Sequence, residues 1–312
     1  MNGIHTPGTV TILLCTCNGE RYLAEQLDSI EAQEYPNWRV LASDDDSRDD
    51  TKAILETYRR RWGADRLVIF EGPAQGYTAN FLFLTQKADD DAGYFAWADQ
   101  DDIWETDKLA RAVDRLAKTP PDIPALYCTR TRIIDADGNE TGLSPLFTKP
   151  PSFANALVQN IAGGNTMAFN NAARKLLLET ASLADVVIHD WWLYIVVSGC
   201  GGAVFYDPRP TLRYRQHDRN EIGISNGWTD RASRLRMMLR GRYKNWNDRN
   251  IKSLQNLNFR LTPENRKILE KFAAARNRRL LPRLIGMKRS GVYRQTLVDN
   301  LGLMAAATFG RI

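Results

Sequence analysis

No run of apolar residues in this 312-residue chain approaches the roughly 20 needed to cross a bilayer. The opening residues, from Met1 to Gly8, have neither a basic start nor an apolar core, so no secretory leader is expected. Cysteine is scarce. Cys15 and Cys17 are separated by one residue, which is neither a redox nor a zinc-knuckle spacing, and Cys128 and Cys200 stand far apart. Free thiols in a reducing, cytoplasmic setting are the simplest reading. A glycine-rich phosphate loop of the dinucleotide or P-loop kind is also missing. Any phosphate ligand must then be held by something other than a glycine nest, and a metal ion on carboxylates would serve.

What is present is an ordinary globular composition, 25% charged and 43% hydrophobic, enough for one large domain or one domain with an appendage. The net charge of +5 hides an asymmetry: residues 226–312 hold 20 Lys/Arg and 5 Asp/Glu, residues 1–225 hold 22 and 32. An acidic body with a basic tail suggests an anionic partner, either nucleic acid or a membrane leaflet. Within the tail, Arg231, Arg234, Arg236, Arg240 and Arg242 interleave with Leu235, Met237, Met238 and Leu239. Two readings fit this pattern: a membrane-surface helix, or solvated helices packed on the body.

Apolar, β-rich runs at 10–15, 38–43, 67–70 and 94–98 alternate with helical spacing at 20–33, 49–62 and 78–87. Such alternation predicts an α/β fold whose sheet is mainly parallel, with right-handed crossovers. Further on, residues 125–134 read as one long strand and 135–139 as a hairpin turn. Gly163 and Gly164 precede another strand, a sign of a bulge or of backbone approaching a ligand, and 171–181 reads as a helix.

Ligands of such sheets bind at the carboxyl ends of the strands. There the chain places Thr16-Cys17-Asn18, then Asp44-Asp45-Asp46, then Asp99-Gln100-Asp101-Asp102. Three carboxylates in four positions repel one another. They fit either a divalent cation, which favours carboxylate oxygens, or an acidic turn whose last member, Asp102, caps a helix starting near Glu105. Two acidic clusters at one sheet edge are hard to explain by capping alone. Downstream stand His189-Asp190-Trp191-Trp192 and Arg215-Gln216-His217-Asp218-Arg219.

Together these features, the first two lying in one stretch, Val10–Thr51, and the whole set spread over most of residues 8–225, resemble an inverting family 2 glycosyltransferase of the GT-A fold, in particular the bacterial rhamnosyltransferase-like enzymes of polysaccharide assembly. The resemblance implies a catalytic domain at 1–225 and a basic helical region at 226–312. It implies a dTDP- or UDP-linked sugar donor, with Asp45 accepting the pyrimidine N3–H, a role that suits an acceptor-only carboxylate. Thr16, Asn18, Glu20, Asn80, Asp99 and Arg215 would complete the donor side. Asp101 and His217 would hold Mg²⁺ or Mn²⁺, and Arg219 would add charge near the diphosphate. Asp190 would be the base, unless it only caps the helix that follows. Gly164, Asn165, Trp191 and Trp192 would face a glycan or polyprenyl-diphosphate-linked acceptor, with one tryptophan in the core. Such an enzyme would be peripheral on the inner face of the membrane and bind no nucleic acid.

The Gln-x-x-Arg-Trp motif of processive synthases is absent, which favours single additions. Asp46 stands where relatives usually carry Gly, and Pro73 where many carry Asn. The competing readings are a sugar nucleotidyltransferase and a nucleic-acid-binding protein. The first lacks its usual Gly-rich loop, and the second leaves the acidic sheet edge unexplained.

Overall fold

A computed structural model describes residues 8–90, 92–217 and 242–312. Asp218, Arg219 and the basic stretch 231–241 lie outside the described residues. The expected alternation is there: β1 (Val10–Thr16), α1 (Leu23–Glu31), β2 (Trp38–Asp44), α2 (Thr51–Trp62), β3 (Leu67–Glu71), α3 (Tyr77–Lys87) and β4 (Tyr94–Ala98). Every residue of β1 is buried, as in a parallel strand covered on both faces. Helix α1 starts at Leu23 because Asn18, at φ 50°, turns the chain, and the amides of Tyr22 and Leu23 both close on the Gly19 carbonyl. Its apolar stripe, Leu23, Leu27 and Ile30, is fully buried, worth about 2 kcal/mol per side chain.

The chain continues through β5 (Ile103–Trp104), α4 (Lys108–Leu116), β6 (Ala125–Thr129), β7 (Arg132–Ile134) and β8 (Glu140–Leu143). It then runs through α5 (Phe153–Ala156), β9 (Ala168–Asn170), α6 (Asn171–Ala181), α7 (His189–Gly199), β10 (Ala203–Asp207) and β11 (Leu212–Arg215). Seven strands form the main sheet in the order β10-β6-β9-β4-β1-β2-β3, and β9 alone runs antiparallel. In register, Thr16 pairs with Asp44 and Leu14 with Ala98. The three polar strand ends therefore sit side by side.

The single strand expected at 125–134 is two. The Arg130 amide bonds to the Asp207 carbonyl and the Thr131 amide to Ser144 Oγ. The chain thereby leaves the main sheet for a second one, ordered β5-β11-β7-β8. The hairpin turn at 135–139 joins β7 to β8, with Asp135 Oδ1 accepting from the amides of Asp137 and Asn139.

Four helices end the described chain: α8 (Arg242–Asn256), α9 (Pro263–Arg276), α10 (Leu280–Ser290) and α11 (Leu297–Thr308). They lie on the body. Leu254, Leu257, Leu269 and Phe272 belong to the same buried cluster as Trp192, Leu193 and Ile195 of α7. A Cβ on Gly199 would come within 2.9 Å of Leu261, and Asn265 Nδ2 donates to the carbonyls of Ser198 and Gly199, satisfying the open end of α7. Among the described residues no helix is long and apolar enough to cross a membrane.

Candidate active site

The polar strand ends are cross-braced by side chains. Thr16 is buried and donates to Asp44 Oδ1 at 2.9 Å. Gln100 clips the end of β4 to the turn after β1, accepting from the Cys17 amide at 2.8 Å and donating to the Cys17 carbonyl at 3.0 Å. Gly19 is required beneath it, since a Cβ there would sit 2.2 Å from Gln100 Oε1. The exposed Asn18 and Glu20 accept from the amides of Arg48 and Asp50 and so brace the β2–α2 turn. Asp45 Oδ1 accepts from the Ala74 amide at 2.6 Å and its Oδ2 from the Gly76 amide at 3.2 Å. These bonds fix the carboxylate at the rim, and each oxygen keeps a further lone pair. Asn80 is buried and its side chain bonds to Ser43, accepting from Oγ at 2.6 Å and donating to the carbonyl at 3.2 Å. These bonds tie the start of α3 to β2.

The structure brings Asp101 and His217 together, with His217 Nε2 2.8 Å from Asp101 Oδ2 and the side chains 17% and 14% exposed. The expected direct donor contact of Arg215 is corrected. Its side chain is only 2% exposed. Its guanidinium donates to Glu25 Oε2 at 2.6 Å, the Asp101 carbonyl at 3.2 Å and the Ala136 carbonyl at 3.1 Å, and it lies over the Tyr22 ring. Arg215 therefore positions Asp101 from behind. Tyr22 also meets the His217 ring, with centroids 5.2 Å apart. Tyr22 and Glu25 went unnoticed in the sequence, where they read as ordinary positions of an amphipathic helix.

Asp102 does not cap a helix. Helix α4 begins at Lys108 behind Asp107, and Asp102 is wholly buried, accepting from Asn165 Nδ2 at 2.7 Å. Burial, then the charges of Asp101 and Asp99, push its carboxyl well above the usual range. Lys108, also unforeseen, is buried and donates to the Asn165 carbonyl at 2.8 Å; burial pulls it down to about 7. Asn165 is thus a strut between the acidic strand end and the 3-10 turn Gly164–Thr166. Asp99 is raised as well, by burial first, then by the charges of Asp101 and of Asp190.

Asp190 lies in the first turn of α7, behind the N-cap Ile188. Its Oδ2 accepts from the Gly164 amide at 2.8 Å and its Oδ1 from the Trp191 amide. Burial lifts its carboxyl to about 6, against bonds from Trp191, Gly164 and Asn160 that favour the charged form. Gly164 has no room for a side chain: a Cβ would stand 2.8 Å from His189 Nε2 and 3.2 Å from Asp190 Cβ. The acceptor role expected of Trp191 and Trp192 is corrected. They are 5% and 1% exposed, with indole N–H groups bonded to the Ala156 carbonyl and Thr180 Oγ1. Helix α7 is buried all round, so both directions point into the core.

Among the described residues no three His, Cys, Asp or Glu side chains converge at metal-binding distance. The Asp101–His217 pair nevertheless fits a divalent cation that is completed by phosphate, since such ions are commonly held by one or two protein groups plus the substrate's oxygens.

Comparison with known proteins agrees with this geometry. The chain is 26% identical over 231 residues to the dTDP-rhamnosyl transferase RfbG of Shigella flexneri, covering 71% of this chain and 78% of that one. Seven further curated relatives are matched over less than two thirds of their own length. In fold it resembles the mannosyltransferase PcManGT of Pyrobaculum calidifontis in complex with GDP-Man and Mn²⁺, with TM-score 0.54 and 18% identity over 98% of this chain and 74% of that one. It also resembles S. aureus TarS 1-349 in complex with UDP, with TM-score 0.53 and 15% identity over 94% and 95% of the two chains. The mainly parallel sheet with its one reversed strand is the GT-A architecture. The family model Glycosyl transferase family 2 matches residues 11–180, more than half of the chain and the whole of its acidic strand edge, and the chain belongs to that family of transferases.

Proposed function

We propose that this glycosyltransferase moves one sugar, rhamnose or another hexose, from a dTDP- or UDP-linked donor to a glycan or polyprenyl-diphosphate-linked acceptor in polysaccharide synthesis, with inversion. The observation that carries the reading is that one turn bonds to both halves of the site: Asn165 donates to Asp102, next to the Asp101–His217 pair, and the adjacent Gly164 amide donates to Asp190. Asp45, at the rim, accepts the N3–H of uracil or thymine. Asp101 and His217 are the residues that would hold a divalent cation. When bound, it offsets charge on the departing nucleoside diphosphate. The imidazole nitrogen favours Mn²⁺ over Mg²⁺, which prefers oxygen ligands throughout. Asp190, aimed by the Gly164 amide, takes the proton of the acceptor hydroxyl as that oxygen attacks the anomeric carbon from the face away from the diphosphate. The Shigella relative puts dTDP-rhamnose first among the donors.

The test is thermal unfolding and slow donor hydrolysis across a panel of nucleotide sugars with Mn²⁺. A donor at about a hundred times its Kd should stabilise the fold by about 2.7 kcal/mol, a shift of several degrees. Asp101→Asn should remove the metal-dependent part of that shift. If no nucleoside diphosphate or its sugar protects the chain, with or without metal, the reading fails.

A further inference from the structure

Thirteen large apolar side chains are exposed among the described residues, and eight of them fall between Leu280 and Phe309. Scattered singly, such residues need no explanation; gathered on one surface they mark a contact. Helices α10 and α11 run antiparallel. Arg283, near the start of α10, donates to the Ala307 carbonyl near the end of α11, and Met287 and Leu303 share a groove of about 440 Å³. The inward face of the pair is Met287, Leu303, Ala306 and Ala307. The outward face carries Leu281 and Ile285 on α10, 69% and 53% exposed, and Leu297 and Leu301 on α11, 77% and 64% exposed.

Charge selects the occupant. Residues 271–312 contain nine Lys/Arg and a single acid, Asp299. Arg278, Arg279, Lys288, Arg289 and Arg311 are exposed, and none meets a carboxylate among the described residues. Two copies of such a face would repel each other, whereas leucines ringed by cations suit the surface of an anionic bilayer.

We infer that the α10–α11 face docks on anionic lipid. The inference rests on the transferase reading only for its purpose. The α10–α11 connection is bolted to the segment leading to the site: Arg294 Nε donates to the Val158 carbonyl at 3.1 Å, the Gln295 amide to Gln159 Oε1 at 2.8 Å, and Asn155 Nδ2 to the Tyr293 carbonyl at 2.9 Å. The next residue, Asn160, bonds to Asp190. The α10–α11 pair is thereby fixed, through residues 155–160, to the segment that meets Asp190.

The full chain, without donor, is floated with vesicles of phosphatidylcholine alone or mixed with phosphatidylglycerol. It should float with the mixed vesicles, less so in high salt, and not with phosphatidylcholine alone. The double variant Leu297→Glu/Leu301→Glu should lose at least about tenfold in partitioning with its melting temperature unchanged. Lys288→Glu/Arg289→Glu should lose chiefly the salt-sensitive part. No flotation of the parent overturns the inference. So does flotation of the leucine variant equal to the parent's, which would assign the contact elsewhere, such as to 231–242. A parent dimer that the leucine variant dissociates, with no change in flotation, overturns it in favour of a second copy. Vesicle binding by a chain that binds no nucleotide sugar supports the surface while removing the transferase reading.

Discussion

In the proposed function Asp190 is the residue set for proton transfer. A carboxylate in water titrates near 3.9 and is a feeble base. Burial lifts this one to about 6, while the amides of Gly164 and Trp191 and the side chain of Asn160 keep the shift from running further. The base must be deprotonated to act. Transfer should therefore be level above about pH 7 and fall tenfold per unit once the pH drops below about 6. Asp190→Asn should reduce transfer by about 10²–10⁴-fold with the donor Kd unchanged, and the remaining rate should lose this acid limb. A variant that transfers at the parent rate, or an acid limb that survives the substitution, would remove Asp190 from the base role. His189 beside it is a different case. Its ring stacks on Phe81 at 4.3 Å and burial pulls it down to about 3, so it stays neutral across that pH range and contributes nothing to the limb.

Among the elements, the strand ends were the most legible part of the chain, because a parallel sheet converts sequence order into spatial adjacency. Once β1, β2 and β4 are recognised, Thr16, Asp45 and Asp101 must share an edge. Contacts between distant segments were not legible. Nothing local in Arg215 says that its guanidinium backs the Asp101 carbonyl, and nothing in Trp191-Trp192 says that α7 is buried on every side. Local backbone strain was half legible. The family resemblance leads one to expect glycine at the place of Asp46, and its φ is 64°, a left-handed conformation that costs an ordinary L-residue about 1–2 kcal/mol and Asp somewhat less. Its side chain makes only an exposed 3.6 Å pairing with Arg48, worth little. Asp46→Gly should therefore stabilise the β2–α2 turn by about 0.5–1 kcal/mol in denaturant unfolding, and Asp46→Val should destabilise it. Loss of stability on Asp46→Gly would mean that the carboxylate has a partner of its own.

At the scale of the whole molecule, charge and core divide the chain differently. Charge changes sign near residue 225, and a sequence reading draws a domain boundary there. The buried cluster ignores that line: Phe272 of α9, fully buried, belongs with Trp192 and Leu193 of α7, and α7 also carries Asp190. Phe272→Ala leaves a cavity costing about 3–5 kcal/mol, a large share of the stability of an ordinary domain. If residues 226–312 were an appendage, unfolding would show two transitions and the substitution would move only one. A shared core predicts one cooperative transition. Tryptophan fluorescence, to which six of the eight tryptophans contribute from before residue 225, and circular dichroism, dominated by the helices, should shift together by the same amount in Phe272→Ala. Non-coincident curves, with the fluorescence midpoint unmoved, would restore the boundary at 225 and make the α7–α9 contact a docking interface instead of a core. Coincident curves would mean that the helices bearing the exposed leucine face are fixed to the helix bearing Asp190, as the proposed docking on lipid and the proposed lipid-linked acceptor together require.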